Sequence, residues 1–159
     1  FVLQRILSNE YLYNEIRAKG GAYGAGMTID VSQKFATYSY RDPKLLETLE
    51  VYRNLDEAVA KLDLSSEDLD RFLIGAVGAY DQPMTERQKG MQDLTDYLIN
   101  KPEDHNDRLL NEMLAADLES LKAYQKNFAA IKNEQRVAVI GSEGKVKEAE
   151  DYFDEIIQL

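Results

Sequence analysis

The chain has 159 residues, of which 44% are hydrophobic and 30% charged, and its formal net charge is -10 at pH 7. This length and composition predict one soluble globular domain with its own core, and exclude a disordered tail. The acidic excess disfavours nucleic acid and anionic membrane surfaces as partners, because both attract Lys and Arg. No apolar run approaches the roughly 20 residues that cross a bilayer, so no membrane partner is expected.

Two residue counts limit the chemistry of this chain. The absence of cysteine excludes disulfides, thiolate metal ligands and cysteine nucleophiles. The single histidine, His105, lies in the polar stretch KPEDHND and is predicted to be a solvated loop residue. A zinc peptidase centre needs two histidines one helical turn apart and a carboxylate base. We therefore expect neither a metal site nor a complete hydrolytic centre within the chain.

The first predicted elements are a helix and a β-hairpin. Apolar residues recur at about 3.6-residue spacing over residues 1–19, and Gly20–Gly21 supply a helix stop. From Ala22 the apolar residues alternate as in a strand, and after a turn near residues 31–34 a second strand is predicted over Phe35–Tyr40. Adjoining strands with a short polar link predict an antiparallel hairpin.

Helices dominate the remaining sequence. Asp42 is a favourable N-cap, and Pro43 a favourable first residue, for a helix that reaches about Leu62. RVAVI, at residues 136–140, predicts a short buried strand. Further helices are predicted from a serine cap at 65–66 to the residues before Pro83, over 85–100, over 103–133 with a break near 116–117, and over 146–159.

This order of elements predicts an α+β fold in which a layer of helices packs on an antiparallel-type sheet. No repeat, low-complexity tract or linker divides the chain, which predicts a single domain over residues 1–159. Three visible strands make a thin sheet, and the chain begins at Phe1 rather than at an initiator methionine. We therefore expect the chain to be part of a longer protein that supplies the first strands of the domain.

The segment at residues 17–24, RAKGGAYG, is the candidate functional segment. Four of the seven residues from 20 to 26 are glycine, which is costly in a strand unless another backbone or a ligand approaches closely. Arg17 offers a planar fork of donors for carbonyl or carboxylate oxygens. Tyr23 offers a hydroxyl that can donate to an oxyanion. Together they predict a clamp for an anion or a peptide carbonyl.

The same residues have ordinary structural explanations. An arginine in the last turn of a helix is favoured by the helix dipole, and paired glycines commonly end helices. Tyrosine is also common in strands. The segment is not a phosphate loop, because it has neither GxGxxG nor GxxxxGK and follows a helix rather than a strand. From the residues alone, the functional and structural interpretations both stand.

RAKGGAYG and the following FATYSYRDPKLLETLEVY resemble the C-terminal domain of the pitrilysin/insulinase family of zinc metallopeptidases, in its presequence-protease branch. The likeness continues through LDLSSEDLDRFLIGAVGAYDQPMTERQKG and LNEMLAADLESLKAY, so it covers most of the chain. The resemblance implies a peptidase of four similar α/β domains, arranged as two halves around a closed chamber. Residues 1–159 would then be its C-terminal domain, truncated before the opening strands.

The resemblance also implies roles for individual residues. The family's zinc and its HxxEH helix belong to the N-terminal half, so zinc would be a cofactor of the larger protein and not of this chain. Arg17 and Tyr23 fall on the family's Arg and Tyr that reach the active site when the halves close. Their implied role is to hydrogen-bond the substrate backbone and stabilise the oxyanion, with Gly20 and Gly21 as further substrate contacts. The implied partners are the N-terminal half and a peptide substrate.

We therefore expect a domain that helps to enclose short unfolded peptides during zinc-dependent hydrolysis. The full-length protein is expected to be a metalloendopeptidase, and this chain alone to be inactive. The alternative is a non-catalytic scaffold or processing-complex subunit of the same fold. The expected location is intracellular: the cytoplasm of a bacterium or the organelle matrix of a eukaryote.

Two neighbouring features receive structural interpretations. Tyr38 and Tyr40 alternate onto one face of the second strand, and are predicted to be core or chamber-wall residues. Arg41-Asp42-Pro43 is most simply a helix start, although the resemblance places it near the same hairpin.

Overall fold

The structure is a computed structural model that describes residues 1–29, 34–134 and 136–158. This part of the chain is mostly helical and contains one pair of strands. The first helix is α-helical over Val2–Ile6 (α1) and continues as a π-helix over Leu7–Lys19 (π1). The predicted helix over residues 1–19 is therefore confirmed.

A β-hairpin follows π1. Strands β1 (Gly24–Ile29) and β2 (Phe35–Tyr40) pair antiparallel, with Gly24 opposite Tyr40 at one end. Both predicted strands and their pairing are confirmed. Residues 31–33 of the predicted turn lie outside the described residues.

Side chains of the first helix hold β1 in place. The amide of Gln4 donates to the carbonyl of Met27 at 2.9 Å, and the N–H of Met27 donates to the hydroxyl of Ser8 at 3.1 Å. Met27 itself is buried. The hairpin is thus anchored through β1, while β2 lies farther from the helix that carries Arg17.

The core is centred on the first helix. The largest fully buried side chains belong to Ile6, Leu7, Leu12, Ile16 and Val59. Four of these five come from α1 and π1, which pack against the hairpin and the following helices. Burying each such side chain stabilises the fold by roughly 1.5–3 kcal/mol. The helix that ends at Lys19 therefore contributes most of the largest fully buried side chains of the core.

The next predicted helix is found in two pieces, α2 (Leu45–Arg53) and α3 (Leu55–Ala60), divided at Asn54. The remaining helices are α4 (Ser66–Tyr80), α5 (Glu86–Leu98), α6 (His105–Leu114), α7 (Leu118–Lys122), α8 (Gln125–Ile131) and α9 (Glu143–Lys147), followed by a 3-10 turn at Glu150–Tyr152. The predicted starts of α4 and α5 and the break near 116–117 are confirmed.

The start of α2 differs from its prediction. Asp42 is not the N-cap residue: Lys44 holds that position and makes no side-chain cap bond. The Asp42 carboxylate instead accepts from the N–H of Lys44 at 2.9 Å and from the hydroxyl of Thr48 at 2.7 Å. Asp42 therefore ties the end of β2 to the first turn of α2 from outside the helix.

Two C-terminal predictions are wrong. Residues 136–140 form no strand, because no strand among the described residues pairs with their backbone, and Ile140 remains 92% exposed. Of the helix predicted over 146–159, the described residues contain the last two residues of α9 and the 3-10 turn. Ile156 and Ile157 are exposed there, and an amphipathic helix without a packing surface is only marginally stable.

The α+β class is confirmed, with two paired strands in the described residues instead of the three predicted. His105 differs from its predicted loop setting, since it is half-buried at the first position of α6.

Candidate functional site

The glycine pair after π1 turns the chain from helix to strand. Gly21 has a φ of +87°, in the left-handed region that glycine adopts without strain. Its N–H donates to the carbonyl of Arg17 at 3.0 Å, and the N–H of Ala22 donates to the carbonyl of Ile16 at 3.1 Å. These bonds satisfy carbonyls that a helix end otherwise leaves unpaired. The predicted stop at Gly20–Gly21 is confirmed, and it places Arg17 in the last turn.

The side chain of Arg17 is exposed at this helix end. Its guanidinium carbon lies 5.1 Å from the ring centroid of Tyr13, one turn earlier in π1. Within residues 1–29, 34–134 and 136–158, no carboxylate forms a salt bridge with it. The planar donor face of Arg17 is therefore available for an oxygen ligand.

Tyr23 lies at the entry to β1 and is 59% exposed. Its N–H donates to the carbonyl of Tyr40 at 3.2 Å, and the two rings are tilted against each other with centroids 5.4 Å apart. The backbone of Tyr23 is thus held by β2. Within the described residues its hydroxyl has no hydrogen-bond partner, so the phenol can donate to a ligand.

Arg41 is a member of this site that the sequence interpretation assigned only to a helix start. Its guanidinium carbon lies 5.3 Å from the ring centroid of Tyr23. The structure therefore brings Tyr23, Tyr40 and Arg41 into one aromatic and cationic cluster, while Arg17 lies over Tyr13. The hairpin register brings these residues together, because it returns the end of β2 to the start of β1.

The glycines of β1 are explained within the hairpin. A Cβ at Gly24 would collide with the ring of Tyr40, and a Cβ at Gly26 would lie 2.9 Å from the hydroxyl of Tyr38. The close approach that these glycines permit is therefore made by the rings of β2. Both rings remain about half exposed, so neither belongs to the core, and their prediction as chamber-wall residues stays a prediction.

A cavity of about 730 Å³ lies beside β2. Its walls include β2, the buried face of α2 and residues 136–142. Burial raises the pKa of Tyr52 on this wall to about 12, so this phenol is neutral at ordinary pH. Tyr40 and Arg41 line the cavity, whereas Arg17 and Tyr23 do not. The cavity therefore meets the cluster on its β2 side only.

The described residues do not fit a metal centre. Among them no group of three or more His, Cys, Asp or Glu side chains is arranged to hold a metal ion. The chemistry that these residues can perform is hydrogen bonding and charge stabilisation by Arg17, Tyr23 and their neighbours. In this same part of the chain, no helix has the length and apolar character to cross a bilayer.

Comparison with known proteins identifies the family. Residues 1–143 match the family model described as the PreP C-terminal domain. The chain belongs to the PreP C-terminal domain family. The match includes the whole Arg17–Tyr23 segment and its hairpin, and ends before the residues 146–159 that were predicted to form the final helix.

Relatives of this PreP C-terminal domain come from bacteria and eukaryotes. A protein designated HypA from Clostridium perfringens is 32% identical over 155 residues, which are 98% of this chain and 16% of the relative. Presequence protease 1, chloroplastic/mitochondrial, from Arabidopsis thaliana is 29% identical over 89% of this chain and 13% of its own length. The mitochondrial presequence protease of Xenopus laevis is 30% identical over 91% of this chain and 14% of its own length. The chain thus spans about a seventh of these relatives.

Proposed function

We propose that this chain is the substrate-contacting C-terminal domain of a zinc-dependent peptidase of the presequence-protease type. The observation that carries the proposal is the family match over residues 1–143, which includes Arg17 and Tyr23. The relatives from Arabidopsis and Xenopus are named presequence proteases. Both side chains are exposed on either side of one helix-to-strand turn, and both have donor groups unused within the described residues. Such donors suit a peptide backbone better than an internal structural role.

In this proposal the two side chains act on one extended peptide. Arg17 donates to backbone carbonyl oxygens and sets the position of the chain. Tyr23 donates to the carbonyl oxygen that gains negative charge as its carbon is attacked. A preorganised donor of this kind is worth about 2.7–4 kcal/mol of transition-state stabilisation. Gly20 and Gly21 present backbone without side chains, which lets the peptide approach the turn closely.

Zinc enters this proposal as a group held elsewhere in the polypeptide. The residues described here do not fit a zinc site, and the family resemblance assigns the metal to an N-terminal half. The domain would close on that half to enclose short unfolded peptides. We propose the pitrilysin-type α/β fold for it, as one of four similar domains. The thin sheet and the small share of the relatives' length support this organisation.

The proposed location follows the source of the protein. The relatives from Arabidopsis and Xenopus are named as chloroplastic or mitochondrial proteins, and another relative is from Clostridium. We propose the organelle matrix for a eukaryotic protein and the cytoplasm for a bacterial one.

The test is peptide cleavage by the full-length protein with single substitutions in this domain. Tyr23→Phe should lower kcat/KM by roughly 10²–10³-fold, the effect of removing one oxyanion donor. Arg17→Ala should lower kcat/KM by up to about 10²-fold, because the peptide loses a donor that positions it. Arg87→Ala and Tyr97→Phe are matched controls, because both residues are exposed on α5 outside the proposed site. Unchanged cleavage by both site variants would overturn the assignment. A full-length protein that lacks peptidase activity and an HxxEH motif would support the scaffold alternative.

A further inference from the structure

We propose that Arg41 is a positioning residue for Tyr23, which fixes the phenol ring so that its hydroxyl reaches the substrate carbonyl. The inference rests on the proposed function and adds a residue outside the RAKGGAYG segment. It is based on three observations: the geometry of the cluster, the backbone conformation of Arg41 and the charge around it.

The geometry leaves Tyr23 dependent on its neighbours. The ring is 59% exposed, and an exposed side chain changes rotamer on a picosecond to nanosecond timescale unless something holds it. Among the described residues, the ring of Tyr40 and the guanidinium of Arg41 lie against this ring, at 5.4 Å between centroids and 5.3 Å from the centroid respectively. A guanidinium over an aromatic face is attracted by the ring quadrupole. Arg41 and Tyr40 together therefore restrict the orientation of the phenol.

The backbone does not explain why an arginine occupies position 41. Arg41 has a φ of +49°, in the left-handed region where residues other than glycine are uncommon and strained. Glycine would make the same turn at a lower conformational cost. Strained backbone of this kind is concentrated at functional sites. The reason for an arginine here therefore lies in its side chain.

The charges around Arg41 also support a role for its side chain at Tyr23. The chain has 29 acidic residues and 19 Lys and Arg residues, so ion-pair partners are abundant. Within the described part of the chain, no carboxylate forms a salt bridge with Arg41. Its guanidinium lies on the ring of Tyr23 instead. In an acidic protein, this gives the hairpin end a local positive charge beside the proposed oxyanion donor.

The experiment replaces Arg41 in the full-length protein and measures kcat, KM and the unfolding midpoint. Arg41→Gly removes the guanidinium and relieves the strained backbone, so the midpoint should stay the same or rise. We expect kcat/KM to fall at least about tenfold, toward the roughly hundredfold cost of a 1 Å misplacement, and mostly through kcat. Arg41→Lys keeps a cation near the ring and should recover part of the loss. Arg53→Ala is the matched control, because Arg53 lies 5.1 Å over the ring of Tyr152 outside the proposed site.

A double-mutant cycle separates positioning from an independent role. In the Tyr23→Phe background the hydroxyl is already absent, so Arg41→Gly should cause little further loss. Additive losses, or full activity of Arg41→Gly alone, would overturn the inference. If Arg41→Gly lowers the unfolding midpoint, Arg41→Gln repeats the comparison with a polar side chain of similar length and no charge. Full activity of Tyr23→Phe alone would instead overturn the proposed function.

Discussion

Tyr23 and Tyr40 contact each other through both backbone and side chain. The N–H of Tyr23 donates to the carbonyl of Tyr40 at 3.2 Å, and the ring centroids lie 5.4 Å apart. The ring of Tyr40 also covers Gly24, where no side chain fits beneath it. The start of β1 and the end of β2 are therefore joined by a backbone bond and an aromatic contact. The candidate site lies at this end of the hairpin.

We predict opposite effects on the free energy of unfolding for alanine substitutions at Gly24, which lies under the ring of Tyr40, and at Gly78, which does not. Gly24→Ala should displace the ring of Tyr40 and lower the free energy of unfolding by about 1 kcal/mol, the usual value of an aromatic contact. Gly78→Ala should raise it by roughly 0.5–1 kcal/mol, because Gly78 lies in the last turn of α4 and a Cβ there meets no atom of the described residues within 4 Å. Chemical denaturation of the chain measures both. A Gly24→Ala chain as stable as the parent would show that the ring does not pack on β1.

The central position of the first helix predicts a large cost for a cavity there. Leu12→Ala should lower the free energy of unfolding by about 2–5 kcal/mol, because Leu12 is fully buried in π1. Leu98→Ala is the control: Leu98 is 71% exposed in α5, and the change should stay within about 0.5 kcal/mol. Equal effects of the two substitutions would contradict a core centred on π1.

Helix capping predicts a difference between two serines. The hydroxyl of Ser65 accepts from the N–H of Asp68 at 3.1 Å, so Ser65→Ala should cost about 1 kcal/mol of stability. Ser142 is also an N-cap residue, but it makes no side-chain cap bond. Ser142→Ala should therefore cost clearly less in the same thermal or denaturant unfolding measurement. A larger loss at Ser142 would contradict the capping geometry.

Asp117 predicts a pH dependence of stability. The backbone N–H of Ser120 donates to its carboxylate at 2.7 Å, and this bond is the largest cause that lowers the pKa from the ordinary value of 3.8. Because the pKa is lower in the folded state, the stabilisation is present above 3.8 and is lost as the pH falls through the lowered value. Asp117→Asn keeps a capping oxygen but cannot titrate. The gap in unfolding midpoint between parent and variant should therefore shrink on acidification, and a constant gap would contradict this assignment.

Metal content tests whether zinc is bound by this chain or by another part of the full-length protein. The isolated chain should retain no stoichiometric zinc after dialysis and should not cleave peptides, because its residues offer no metal site within the described part. Elemental analysis and a peptidase assay measure the two properties. The full-length protein should hold zinc in the same assay. Stoichiometric zinc on the isolated chain would contradict the proposal.

Local signals in the sequence predicted most of the N-terminal half. The stop at Gly20–Gly21, the alternation that marks β1 and β2, and the cap at Ser65 each depend on residues close in sequence. A helix end or a strand is encoded by a few consecutive residues, so hydrophobic periodicity and turn residues are enough to predict it. The same signals placed Arg17 and Tyr23 on either side of one turn.

Predictions were wrong for segments whose structure depends on contacts with residues distant in the sequence. Residues 136–140 have the composition of a strand, but a strand forms only when a neighbour satisfies its backbone bonds. The final helix lacks a surface on which its apolar face can pack. The contact of Arg41 with Tyr23 was not predicted for the same reason, since it exists only once the hairpin has formed.

The sequence by itself determined the α+β class and the helix-to-strand turn that presents Arg17 and Tyr23, because each depends on local conformational preference. The tertiary structure alone decided that the glycines of β1 lie under the rings of β2, and that Arg41 covers Tyr23. These contacts join residues that are distant in the sequence. Their position follows from strand register and packing, which no local pattern encodes.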